Sequence, residues 1–337
     1  MNYAPLSAAL IGLLPALLFL AVLVMFDSYK LVSGKFILGT MALGAVAALV
    51  SYFCNDAALA LTGLSDKSLA RYVAPVIEES LKAAILIFLL RSNRIGFLVD
   101  AAILGFSVGT GFAILENIYY FQTMSEAPLS MWLIRGFGTA IMHGGAASVF
   151  AVTTHALSDH KTSAGLADLT PGLLLAILTH SIYNHFPLSP PASTMVVLVI
   201  MPLLGIFIFK ISEDSLEKWL DTGFDADAKL LEIINSGQLS ESRVGQYLET
   251  LKQHFSPEVV FDMICYLRLH VELALRAKGM LMMKENGFEV EISPDVQASL
   301  EELKCLEANI GMTGRMALKP FLHMSRRDLW QLYMLGK

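Results

Sequence analysis

The stretch APLSAALIGLLPALLFLAVLVMF, Ala4–Phe26, runs 23 residues without a charge. A helix needs about 20 mostly apolar residues to cross the hydrocarbon core of a bilayer. The same rule, carried outward, marks further runs at Phe36–Asp56, Tyr72–Leu90, Gly96–Phe121, Leu129–Thr153, Leu169–Phe186 and Ala192–Phe209. The chain is therefore expected to be all-α, a polytopic transmembrane bundle of about seven spans. Tyr72–Leu90 is the least apolar of these and the easiest to miss. The N-terminus lacks the basic region and short core of a cleaved signal, so the first run is expected to be a retained span.

Bulk composition agrees. Of 337 residues, 55% are hydrophobic and 16% charged, with a mean hydropathy of +0.59. A soluble domain carries about 25% charged residues. The net charge of −6 and the lack of a basic patch argue against nucleic acid as a partner. Cys54, Cys265 and Cys305 share no metal-ligand spacing and form no disulfide framework.

Lysine and arginine set the expected orientation. Lys30, Lys35, Arg91, Arg94, Lys161 and Lys210 all fall on one side of a seven-span chain. That side is expected to be cytoplasmic, with the N-terminus outside. The composition changes after Lys210: residues 1–211 read as the membrane bundle, and 212–337 as a soluble, mostly helical cytoplasmic domain. Ser256-Pro257 and Ser293-Pro294 each read as a cap followed by proline at the first helical position. Phe288-Glu289-Val290-Glu291-Ile292 alternates like a short strand. Nothing in this domain points to chemistry; it reads as an interaction module, through which the protein could form a homo-oligomer.

An ionisable side chain inside a span costs several kcal/mol and needs a partner or a purpose. The third span opens with Glu78-Glu79-Ser80-Leu81-Lys82. Glu78 and Lys82 stand one turn apart and are expected to pair, whereas Glu79 points about 100° away. The fourth span carries Glu116-Asn117 near its far end and a small-residue face at Gly105 and Gly109. His143 lies inside the fifth span, and His180 and Asn184 share a face of the sixth. Arg135 is an interfacial anchor or a carboxylate partner. Alternating span direction brings all these groups to the outer half of the bilayer. Independent snorkelling explains neither His143 nor the turn-spaced pairs, so a shared, water-accessible polar cavity is expected.

In this order, EExxK (Glu78, Glu79, Lys82), FxxxEN (Phe112, Glu116, Asn117), His143 and HxxxN (His180, Asn184) resemble the PrsW family. These are glutamic-type intramembrane proteases of the wider clan of CAAX-processing and bacteriocin-processing proteases. The resemblance covers roughly Tyr72 to Phe186. It implies an endopeptidase acting on membrane-anchored proteins near the extracytoplasmic face; an anti-sigma factor is one substrate that the family makes possible.

On that basis Glu78 or Glu79 is expected to serve as general base on a water, with Glu78 favoured because it shares a face with Lys82. Glu116 would share or orient the water, and His143, His180 and Asn184 would donate to the oxyanion. No cofactor is expected on this reading. One rival is a zinc peptidase using Glu116, His143 and His180, since two histidines and a glutamate form a catalytic zinc set. The other is a non-catalytic scaffold or receptor. A proton-coupled transporter is disfavoured, because no two-fold repeat of broken spans is visible.

Overall fold

The structure is a computed structural model that describes residues 4–124, 126–159, 161, 164–286, 288, 293–322 and 326–335. Every regular element among them is helical. The chain divides into two compact units, Met1–Ser212 and Glu213–Lys337.

The first unit is built from α1 (Ala4–Met25), α2 (Gly34–Thr62), α3 (Ala74–Arg91), α4 (Leu98–Thr123), α5 (Ala140–Ser158), α6 (Leu166–His185) and the first half of α7 (Pro190–Asn235). Five helices are long and apolar enough to cross a membrane: α1, α2, α4, α6 and α7. The other two expected spans correspond to α3 and α5. Glu78, Glu79, Lys82 and Arg91 lower the apolar content of α3, and the run preceding α5 is divided into a short helix, Leu129–Leu133, and a π-helical segment, Ile134–Thr139.

The centre of the bundle is α4, in which every residue from Val99 to Ala113 is buried. A helix that is apolar or small on all sides can be packed on all sides. Glycines make this possible at specific contacts. A Cβ on Gly109 would lie 2.2 Å from the His143 carbonyl oxygen, and one on Gly105 2.6 Å from the Ser148 Cα. On the opposite flank, a Cβ on Gly111 would meet the Met41 carbonyl oxygen at 1.9 Å, and one on Gly44 the Val108 carbonyl oxygen at 2.0 Å. Backbones this close fix the register of α2 and α5 against α4. Asp100 is buried; its Oδ2 accepts from the Gly96 and Phe97 amides and caps α4.

A second π-helical segment, Leu69–Val73, leads into α3. Pro75 has no N–H, so it bonds neither the Arg71 carbonyl it would meet in an α register nor the Ala70 carbonyl of a π register. Side chains of α6 bond both oxygens instead: Ser181 Oγ donates to Arg71 O at 2.6 Å and Asn184 Nδ2 to Ala70 O at 2.8 Å. Arg71 returns a bond to the His185 carbonyl at 3.3 Å. The start of α3 is thereby tied to the end of α6.

In the second unit, α8 (Arg243–Leu251), α9 (Pro257–Glu285), α10 (Pro294–Leu318) and α11 (Arg326–Leu335) follow the remainder of α7. Pro257 and Pro294 occupy the first helical positions, after Ser256 and Ser293. The expected strand falls, apart from Phe288, on residues outside the described ones. A buried ion pair, Lys278 Nζ to Asp227 Oδ2 at 2.5 Å, lies 5.0 Å below the Trp219 ring.

Candidate active site

The N-terminal turns of α3 and α5 and the C-terminal turns of α4 and α6 meet at one end of the first unit. Glu78 and Glu79 come from α3, Glu116 from α4, His143 from α5 and His180 from α6. The His143 and His180 rings stand edge to face, 4.7 Å between centroids. Glu78, Glu79, Lys82, His143 and His180 are all buried.

Lys82 differs from expectation in its partner. Its ammonium donates to Glu79 Oε1 at 2.6 Å, not to Glu78. It also donates to His143 Nδ1 at 3.0 Å and sits 4.4 Å from the centre of the Phe112 ring. These groups converge on the Glu79 side of α3 and outweigh the i,i+4 spacing, which matters most on an exposed helix. Glu79 Oε1 accepts a second bond, from His180 Nδ1 at 2.7 Å.

This network assigns the histidine tautomers. An ammonium can only donate, so His143 Nδ1 accepts and its Nε2–H faces Glu116 Oε2 at 3.2 Å. His180 donates through Nδ1 to Glu79, and its Nε2 lies 3.9 Å from Glu78 Oε2.

Glu78 is therefore the carboxylate that remains open. Its Oε1 accepts from Asn55 Nδ2 of α2 at 3.2 Å, and its Oε2 is buried without a hydrogen-bond partner. The Glu78 side chain is 10% exposed, against 1% for Glu79. Preference for Glu78 thus rests on this open oxygen and not on a shared face with Lys82.

Glu116 is 24% exposed and held by Arg135 at 3.0 Å. Arg135 also donates through Nε to Asn117 Oδ1 at 2.8 Å and stacks on Tyr120 at 3.8 Å. Asn117 donates to the Gly12 carbonyl of α1 at 2.7 Å. It stands behind the centre as a support for Arg135. Asn184, expected to face an oxyanion, spends its amide on the Ala70 carbonyl. The residues that the motifs did not mark are Asn55, Ser181 and Arg135's neighbour Tyr120. Asn55 carries no charge and lies at the end of an apolar run, so only contact with Glu78 reveals it.

The expected metal set changes as well. The donors that lie within 4.8 Å of one another belong to Glu78, His143 and His180, with Glu78 in the place expected for Glu116. Their types suit zinc, and the Glu79–His180 bond is the kind that orients a metal-bound histidine. Two features bear on whether a zinc could be held by all three, whose donors come to within 4.8 Å of one another. Donors at zinc-bond lengths of a tetrahedral site stand about 3.4 Å apart. A ligating His143 Nε2 would also need a proton on Nδ1, where Lys82 presents another donor.

A membrane bundle that buries glutamates, a lysine and two histidines at one end, with one carboxylate oxygen left open, has the groups that hydrolysis of a peptide bond requires. The model of the PrsW family intramembrane metalloprotease matches residues 29–208, over half of the chain, and the chain belongs to this family. No curated protein and no solved structure matches it. The protein is thus a membrane protein of a peptidase family.

Proposed function

We propose that the protein is a glutamate-dependent intramembrane endopeptidase in which Glu78 activates water. The observation that carries this reading is Glu78 Oε2, buried without a hydrogen-bond partner and 3.9 Å from His180 Nε2. A water at hydrogen-bond distance, about 2.8 Å, from each atom spans that gap at an angle of about 90°. Glu78 takes the water's proton as the oxygen attacks the scissile carbonyl. The proton then passes to the leaving nitrogen as the C–N bond breaks. His143 Nε2–H, a donor by the bond of its Nδ1 to Lys82 and bonded to Glu116 in this structure, would exchange that partner for the developing oxyanion. Glu79 and Lys82 hold the two histidines in these tautomers, and Glu116, backed by Arg135, orients His143.

The substrate proposed is a membrane-anchored protein, an anti-sigma factor among the possibilities, cut near the extracytoplasmic face. The lysine and arginine pattern supports seven spans with the N-terminus outside. Residues 212–337 are proposed as a cytoplasmic domain for interaction or self-association.

A second reading, zinc held by Glu78, His143 and His180, is favoured by the donor types and their approach to within 4.8 Å. Zinc would polarise the carbonyl and acidify its water. The test is cleavage of a membrane-anchored peptide library by protein reconstituted in liposomes, with and without a zinc chelator. Chelator-resistant cleavage is expected. Loss in chelator with recovery on added zinc would overturn the glutamate mechanism in favour of the metal, and no cleavage by folded protein in either condition would overturn the peptidase reading itself.

A further inference from the structure

We infer that Asn55 is a positioning residue for Glu78: its amide holds one carboxylate oxygen so that the other faces His180 and the water between them. The inference rests on the proposed role of Glu78 and extends the site to a fifth helix, α2, that none of the motifs marks.

The geometry is specific. Asn55 Nδ2 donates to Glu78 Oε1 at 3.2 Å, and no other hydrogen bond to the Glu78 carboxylate is present among the described residues. The amide can face the carboxylate in only one sense. A carboxylate accepts, so reversing the amide would set two acceptor oxygens against each other. The position of Asn55 is in turn fixed by backbone contacts of α2 with α4 at Gly44 and Gly111, and by Phe112 packed on Ala47 and Ala48. A carboxylate free to rotate would turn its open oxygen away from His180. With Oε1 held, Oε2 has one direction.

A purely structural role accounts poorly for Asn55. Its Oδ1 is buried without a partner, and a buried unpaired acceptor costs stability that a leucine in the same place would not. As a tie between α2 and α3 it offers one bond and leaves one oxygen orphaned. As an orienting donor to a reactive carboxylate, that single bond is the function.

The experiment uses full-length protein in liposomes and a fluorogenic peptide that the wild type cuts. Asn55→Leu is measured beside Glu78→Gln and the double variant, with thermal midpoints for each. Misplacement of a catalytic group by about 1 Å costs on the order of 100-fold, so Asn55→Leu is expected to lower kcat about 10- to 100-fold with KM unchanged. Its thermal midpoint is expected to fall modestly while the protein stays folded, because Glu78 Oε1 loses its hydrogen bond. In the double variant, Asn55→Leu should add nothing to the loss from Glu78→Gln, because both act through one group. Asn55→Ala supplies the same readout if the leucine does not fold. Wild-type kcat in a folded Asn55 variant, with Glu78→Gln inactive, would overturn this inference alone. Activity retained in Glu78→Gln would overturn the reading beneath it.

Discussion

Two buried lysines, one in each unit, make similar pairs with very different surroundings. Lys82 is fully buried and bonded to Glu79 at 2.6 Å; Lys278 is 1% exposed and bonded to Asp227 at 2.5 Å. Both lie near an aromatic face, Phe112 in the first case and Trp219 in the second. The difference lies in what the pair holds. Lys82 and Glu79 each take a histidine, and beside them Glu78 keeps an open oxygen. Lys278 closes onto its aspartate and the Trp219 ring. A buried ion pair is therefore weak evidence of a site by itself. What marks a site is the asymmetry between a satisfied carboxylate and an adjacent one that is not.

The sharpest way to break this comparison is to cut both pairs. Lys82→Met and Lys278→Met each take the paired ammonium from a buried carboxylate, at a cost of about 3–5 kcal/mol. Only Lys82→Met should also reduce the cleavage rate per folded molecule, because it releases the His143 tautomer. Equal rates for the two variants, measured against folded protein, would show that both pairs are merely structural.

A smaller effect separates two roles for the sixth helix. Ser181→Ala and Asn184→Ala each strip a partner from a backbone carbonyl, at about 1–3 kcal/mol. As parts of one clamp they should lower kcat alike, by roughly 10-fold, through displacement of α3. If Asn184 instead serves an oxyanion, its variant should lose about 100- to 1,000-fold while Ser181→Ala stays near wild type. Initial rates on one substrate decide between them.

Much of this was legible in the sequence because lipid is a strict solvent. The apolar runs at Ala4–Phe26 and Phe36–Asp56 correspond to α1 and α2, and charged groups stand out against such runs. That contrast led to Glu78, Glu79, Lys82, Glu116, His143 and His180, which the structure brings together at one end of the bundle. What periodicity misjudged was pairing: i,i+4 spacing assigned Lys82 to Glu78, and contacts from α4, α5 and α6 reassign it to Glu79. Asn184, expected at the oxyanion, bonds the Ala70 carbonyl 114 positions earlier, a partner that spacing along one helix does not show. Asn55 was invisible because a neutral amide at a span's end costs too little to demand a partner.

The most direct test of the account is Glu78→Gln, compared with wild type for both cleavage rate and thermal midpoint in the same liposomes. Glutamine keeps the size of the side chain and removes the base. The account predicts a loss of at least about 100-fold in kcat with the midpoint little changed, since Glu78 holds no ion pair with Lys82. Wild-type cleavage by a folded Glu78→Gln protein would contradict it.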